Sequence, residues 1–147
     1  MALGSLAANL TAMGIGSIKA NIKRRKLEDK INSGIIEKDD LIWLSSYYHE
    51  KKDYFKAESY AKKLYEMMPE DSASNYLLFN INFSMKNYKS AIPFMEHLLK
   101  LGHDSADNNH TLGFCYFLLE ENEKADEYRL KAESMDPKLK KYPYNKI

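Results

Sequence analysis

The chain has 147 residues, enough for one domain or for one domain with an extension. It contains no Val and only two Thr, and this scarcity of β-branched residues argues against a sheet protein, while abundant Leu, Lys, Glu, Ala and Met predict an all-α fold. The net charge of +1 favours neither a nucleic-acid-binding protein nor an acidic tail protein, and a single cysteine, Cys115, excludes an intrachain disulfide framework and favours a reducing compartment.

The near-zero net charge is a sum over three blocks of unequal charge. Residues 1–32 carry six basic and two acidic side chains, and residues 33–137 carry twelve basic and nineteen acidic ones. Residues 138–147 contain four Lys and no acidic residue. An acidic body is therefore flanked by two basic ends, which can steer partners toward or away from each region.

An uncharged segment, residues 1–18, opens the chain. Four apolar residues recur in it at helical spacing and predict a stripe for protein docking or membrane contact: Leu3, Leu6, Leu10 and Met13. Gly14 and Gly16 predict a break in this helix, after which Ser17 caps a second helix. That helix is expected to end near residue 32, with Gly34 as the stop signal.

The second helix carries a basic run that consists of Lys23, Arg24, Arg25 and Lys26. A transmembrane anchor needs about 20 mainly apolar residues, which residues 1–18 barely supply, since seven of them are Gly, Ser, Asn or Thr. A secretory signal is disfavoured because the positive charge follows the apolar run. We favour a docking helix that packs on the repeats or on a partner, with peripheral membrane contact as the alternative and a cytoplasmic location in either case.

A constant step between equivalent residues runs through the rest of the chain. Ala57, Ala91 and Ala125 are equally spaced, and Leu44, Leu78 and Leu112 keep the same step. The resulting period, about 34 residues, indicates stacked pairs of helices. The expected organisation is an extension over residues 1–34, a repeat region over 35–139 with units 38–71, 72–105 and 106–139, and a basic tail over 140–147.

The first unit shows why each segment is a helix pair. Leu41, Leu44 and Tyr48 recur at helical spacing, and the polar residues 51–53 then predict a turn. Small residues such as Ala57 lie on one face of the second helix, where they let two antiparallel helices approach closely. Pro69 ends the unit because proline cannot continue a helix.

These residues resemble the tetratricopeptide repeat family, whose pattern combines a large apolar residue, Leu, a small residue, aromatic residues, Ala and a closing Pro. The third unit keeps the pattern with Leu112, Gly113, Tyr116, Ala125 and Pro137, whereas the middle unit has Phe79 at the small position, Asn82 at an aromatic position and His103 in place of Pro. The resemblance implies antiparallel helix pairs that stack into a right-handed superhelix.

The resemblance also implies a binding module, because tetratricopeptide arrays hold partners on a concave face lined by the first helix of each repeat. By that analogy nine residues line the groove: Ile42, Ser46, His49, Tyr76, Asn80, Phe83, His110, Phe114 and Phe117. Such an apolar and aromatic groove suits an amphipathic helix or an extended apolar peptide. A clamp for the acidic tails of heat-shock chaperones is disfavoured, because the corresponding positions hold no basic residue: Ile42, Ser46, Leu77, Asp107 and Thr111.

The function expected from the sequence is a non-enzymatic adaptor for a protein or peptide partner within a larger assembly. One alternative is a chaperone similar to those of type III secretion translocators, which also have three repeats after an N-terminal helix. The other is a structural subunit that forms a homo-oligomer or attaches to a membrane complex through residues 1–32. No cofactor, metal or nucleic acid is expected, because the chain lacks metal-ligand, phosphate-loop and nucleophile motifs.

The two ends of the repeat stack carry a further expectation. Terminal repeats need a cover to stay soluble, and the tail after Pro137 is too short for the usual closing helix. Pro143 also argues against such a helix. Another element, such as a second subunit, is therefore expected to cover the last helix.

Overall fold

The computed structural model describes the backbone of residues 3–141 and 144, and the side chains of residues 16–141 and 144. Seven α-helices and one 3-10 helix follow one another in this part of the chain, with no strand among the described residues, which confirms the all-α prediction. The elements are α1 (Leu3–Asn32), α2 (Lys38–Glu50), α3 (Tyr54–Met67), α4 (Ser72–Ser84), α5 (Tyr88–Lys100), α6 (Ala106–Leu118), α7 (Asn122–Met135) and the 3-10 helix (Pro137–Lys141).

Three helix pairs form the body, with α2 packed on α3, α4 on α5 and α6 on α7. The turn inside each pair repeats the same backbone geometry, because Lys52, Lys86 and Glu120 are one period apart and have φ angles of 61°, 61° and 62°. In the first turn the N–H of Asp53 then bonds to the carbonyl of Tyr48 at 2.9 Å, which closes the end of α2. The repeat period of the sequence therefore corresponds to a repeated helix–turn–helix structure.

Small residues lie where the two helices of a pair meet, as the pattern predicts. Ser45 is fully buried, and its hydroxyl donates a 2.9 Å hydrogen bond to the carbonyl of Ala57 on the partner helix. Gly113 takes the equivalent position in the third pair. In the middle pair Phe79 occupies it and is also buried, at 3% exposure, in the core that α4 shares with α5, α6 and α7.

The predicted break at Gly14 and Gly16 is wrong, because α1 is one continuous helix from residue 3 to residue 32. Each glycine costs a helix about 1 kcal/mol relative to Ala, which good helix formers on both sides offset. Ser17 lies inside α1 and is therefore not an N-cap. The predicted stop is confirmed, since Gly34 has a φ of 90° and its N–H bonds to the carbonyl of Ile31 at 2.9 Å.

The second half of α1 takes the place that the second helix of a repeat would have. Residues 20–32 precede α5 by twice the period, and Gly34 precedes Gly102, which has a φ of 94°, by the same step. Ile31 is 8% exposed and lies in the same core as Leu41 and Leu44 of α2. This part of α1 covers the first repeat, as α5 covers the third.

The C-terminal end is closed differently. Helix α7 ends at Met135, next to Pro137, and the 3-10 helix packs against it. Tyr144 then returns to the surface of α6. Leu130 on α7 stays 56% exposed, so no described element fully covers the last helix.

Candidate functional site

The predicted groove residues form a strip because the first helices of successive repeats contact one another. His49 Nε2 on α2 lies 2.8 Å from Ser84 Oγ on α4. The hydroxyl of Tyr76 on α4 accepts a 2.7 Å hydrogen bond from Asn108 Nδ2 on α6. These contacts place α2, α4 and α6 side by side, with the predicted residues along one face.

The strip is aromatic at its C-terminal end. The ring centroids of Phe83 and Phe114 are 6.5 Å apart, and those of Phe114 and Phe117 are 6.4 Å apart. All three rings are half-buried, so one part of each packs against neighbours and the other part faces solvent. Aromatic rings in this arrangement offer apolar contact area with little side-chain entropy to lose.

The N-terminal end of the strip is more polar. Ser46 and His49 are half-buried, and Asn80 is exposed. Ile42 packs against the core of the first repeat rather than standing free. The nine residues therefore include a polar section, Ser46 and His49 on α2 with Asn80 on α4, and an aromatic section on α4 and α6 that offers more apolar contact.

Two residues that belong to the aromatic section do not appear among the nine predicted positions. Asn108 links Tyr76 to α6, and Tyr144 lies over the rings of His110, Phe114 and Phe117 with ring-centroid distances of 4.9–5.7 Å. A signal for Tyr144 exists in the sequence, since it follows His110 by one period, just as His110 follows Tyr76.

The basic run of α1 divides between contacts within the chain and free surface. The ammonium of Lys23 lies 4.5 Å above the ring of Trp43, and Arg24 pairs with Glu28 and approaches the Tyr48 hydroxyl at 3.5 Å. Lys23, Arg25 and Lys26 are all exposed, whereas Arg24 is half-buried. The side chains of Leu3, Leu6, Leu10 and Met13 lie outside the part that the structure describes.

Further polar contacts hold the second half of α1 on α2. Lys30 Nζ pairs with Asp40 at 2.7 Å and with Glu37 at 2.9 Å. Hydrogen bonds to these two carboxylates raise the pKa of Lys30, so its ammonium stays charged. The Tyr47 hydroxyl donates a 2.7 Å bond to Asn21. These contacts pack this half of α1 on its own repeats.

Neither a metal cluster nor a membrane-spanning helix is found among the described residues. No cluster of three or more His, Cys, Asp or Glu side chains suits a metal there. No helix in that part of the chain has the length and apolarity needed to cross a membrane. Cys115 is fully buried, and burial raises the pKa of its thiol to about 12, which fits the predicted packing role.

Comparison with known proteins agrees with this architecture. The family described as "Anaphase-promoting complex, cyclosome, subunit 3" matches residues 50–132, from the end of α2 into α7. Among solved structures, "MamA RS-1 ArsTM double mutant" matches with a TM-score of 0.73 and 22% identity, over 90% of this chain and 75% of that chain. At this identity the likeness shows the fold alone. No curated protein matches the chain.

Proposed function

Because the chain belongs to the family of anaphase-promoting complex, cyclosome, subunit 3, whose repeats are of the tetratricopeptide type, we propose that it is a non-enzymatic adaptor. Modules of this type act as scaffolds for protein interaction. In the proposed function, the groove formed by α2, α4 and α6 holds a peptide or helix of a partner protein in the cytoplasm. No cofactor and no nucleic acid takes part.

The observation that carries the proposal is the aromatic section of the groove. Phe83, Phe114 and Phe117 are only half-buried, so each keeps apolar surface that a partner can cover. Aromatic side chains near the centre of an interface provide much of its binding energy. Tyr76 adds a hydroxyl beside this surface, where Asn108 fixes its position.

The test is capture of partners from a lysate by the intact chain and by the double variant Tyr76→Ala with Phe114→Ala. We expect the double variant to lose the specific partner that the unaltered chain captures. A matched control is Phe55→Ala with Leu130→Ala, because these two apolar residues are 84% and 56% exposed on second helices, away from the groove. The control variant should capture the partner normally.

Folding must be measured on the same variants, because Tyr76 also contributes a hydrogen bond between α4 and α6. Thermal unfolding followed by circular dichroism shows whether the double variant keeps its helices. Normal capture by a folded groove variant would refute the proposed binding site.

A second candidate, assembly through the N-terminal helix, is favoured by Ile18 and Ile22. They lie one turn apart on α1 and are 61% and 50% exposed. The matching family is itself described as a subunit of a complex. Deletion of residues 1–32 is a poor test, since it would also remove Ile31 from the core.

A sharper test of the second candidate replaces Ile18 and Ile22 with Ser in the full chain. Sedimentation velocity then compares the assembly state of the two proteins. A smaller particle would support assembly through α1, and an unchanged particle would reject it. The remaining alternative, a secretion-type chaperone, is distinguished by the solubility of its partner. The partner of such a chaperone would be soluble only when it is co-expressed with this chain.

A further inference from the structure

The tail of the chain places one aromatic side chain on the aromatic section of the groove. The ring of Tyr144 lies 4.9 Å from His110, 5.7 Å from Phe114 and 5.6 Å from Phe117, measured between ring centroids. Its hydroxyl donates a 2.9 Å hydrogen bond to the backbone carbonyl of His110. Both the ring and the hydroxyl of this tyrosine therefore find partners on α6.

The absence of a side chain at Gly113 creates room for the hydroxyl. A methyl group at this position would overlap the Tyr144 oxygen. The resulting pocket has aromatic walls, a backbone acceptor and space for one phenolic oxygen. Burial raises the pKa of Tyr144, so the hydroxyl keeps the proton that it donates.

The surroundings of the pocket favour a basic segment. Asp126, Glu133 and Arg129 all lie near Tyr144 on α7, where Arg129 pairs with the two carboxylates at 2.9 Å and 2.7 Å, so this group of side chains keeps a net charge of −1. Residues 138–147 carry four Lys and no acidic side chain, whereas residues 33–137 are acidic overall. Opposite charges of this kind guide a basic segment to its site and reject an acidic one.

We propose that the Tyr144 pocket on α6 is a recognition site for a tyrosine in a basic peptide segment, and that the chain's own tail occupies it until a partner displaces the tail. This inference rests on the proposed function, because it specifies what the groove recognises and how access is controlled. A single tethered tyrosine is easily exchanged, since a short tether gives an effective concentration of only about 1 mM.

The experiment uses a fluorescent synthetic peptide with the sequence of residues 138–147 and measures its binding by anisotropy. The full-length proteins are the unaltered chain and Tyr144→Ala, whose pocket is empty. If the peptide binds the empty pocket with a Kd of about 0.1 mM, the tail of the unaltered chain weakens its binding about tenfold. A peptide with Ala at the position of Tyr144 should bind neither protein.

A second full-length variant covers the case in which Tyr144→Ala unfolds. Tyr144→Phe keeps the ring but removes the hydrogen bond to His110, so the peptide should bind this variant more tightly than the unaltered chain. Equal binding of the peptide to all three proteins, or no binding to either variant in folded form, overturns the proposal.

Phe117→Ala in the Tyr144→Ala protein locates the site, because this change removes one wall of the pocket and should abolish peptide binding. Persistent binding would overturn the assignment to α6. The outcome is separable from the proposed function. If the chain captures a partner through Phe114 but does not bind the peptide, only this inference is refuted. If the chain binds the peptide but captures no partner, only the proposed adaptor function is refuted.

Discussion

The Tyr116 hydroxyl donates a 2.6 Å hydrogen bond to Glu96 Oε1 and so joins α6 to α5 of the preceding repeat. Two periods earlier in the chain, the Tyr48 hydroxyl makes the same bond to Glu28 of α1. Burial, and then the neighbouring carboxylate, raise the pKa of both tyrosines. The second half of α1 thus forms, with the first repeat, the contact that α5 forms with the third.

The surroundings of the two tyrosines repeat as well. Tyr60 stacks on Tyr48 at 5.9 Å, and Tyr128 stacks on Tyr116 at 5.7 Å. Asn82 takes the tyrosine position in the middle repeat and bonds instead to the carbonyl of Leu78 at 2.8 Å. The contacts of the first and third repeats with the preceding helix therefore contain a carboxylate–tyrosine bond that the middle repeat lacks.

Tyr116→Phe tests what this bond contributes, since it removes the hydroxyl and keeps the stacked ring. We expect the free energy of unfolding to fall by about 1.5–3 kcal/mol, the range for a hydrogen bond to a charged group, and Tyr48→Phe should behave alike. Urea denaturation measures the change. Tyr65→Phe is the matched control, because Tyr65 packs edge-on against Phe94 and its hydroxyl has no hydrogen bond among the described residues. Equal effects at Tyr65 and Tyr116 would contradict the assignment.

The period of the sequence was sufficient to predict the helix pairs and the turns between their helices. These features follow from local spacing, which the stacked helices preserve. The break at Gly14 and Gly16 was predicted wrongly, because the cost of two glycines is small beside the continuous bonding of so long a helix. Local propensity alone does not determine where such a helix ends.

The spacing of residues along the sequence does not predict contacts that depend on three-dimensional proximity. Asn75 and Asn109 occupy the position of Leu41, and all three are fully buried. The amide of Asn75 donates to the carbonyl of Pro69 at 2.9 Å, and that of Asn109 donates to the carbonyl of Ser105 at 2.8 Å. Tyr144 follows His110 by one period, but it lies outside the three repeat units, so spacing alone does not predict that its ring packs on α6.

Acid should weaken the contact between the first two repeats through Asp71. Burial opposes the ionisation of Asp71, but the Lys38 ion pair and the backbone N–H groups of Ser74 and Ala73 outweigh it and lower its pKa below the ordinary value of 3.8. Since the folded pKa is the lower one, the stabilisation is complete well above pH 3.8 and is lost as the pH falls through the folded pKa.

Lys38→Gln removes the ion pair and leaves the capping bonds from Asp71 to α4 in place. We expect the free energy of unfolding of this variant to fall less steeply below about pH 5 than that of the unaltered chain. Asp39→Asn, which changes an exposed carboxylate on the same helix, is the control. If the free energy of unfolding changes with pH in the same way in the unaltered chain and in Lys38→Gln, the ion pair does not contribute to the acid sensitivity.

The thiol of Cys115 should report the opening of the third repeat. It is 0% exposed, and burial raises the pKa of the thiol to about 12, so the reactive thiolate is scarce at pH 8. Labelling by a thiol reagent should therefore be slow in the native protein and should accelerate with urea as the third repeat opens. Ser59→Cys in a Cys115→Ala background provides an exposed thiol for comparison. Equally fast labelling of both thiols without urea would show that the core around Cys115 opens readily.

Gly113→Ala should separate α6 from α7. The added methyl would lie 3.1 Å from the carbonyl oxygen of Ala125 and 3.2 Å from the backbone nitrogen of Arg129, and would also overlap the Tyr144 hydroxyl. Backbone atoms inside a helix cannot rotate away, so α7 must shift. We expect a loss of about 1–3 kcal/mol in the free energy of unfolding, as for other overpacked sites, measured by urea denaturation.

Gly16→Ala is the matched substitution at a helical glycine with open surroundings. A methyl group there meets nothing within 4 Å, so only the backbone preference changes. Because Ala favours a helix over Gly by about 1 kcal/mol, amide hydrogen exchange near residue 16 should slow by about fivefold. Faster exchange there would contradict a continuous α1, and a gain in stability at both glycines would contradict close packing between α6 and α7.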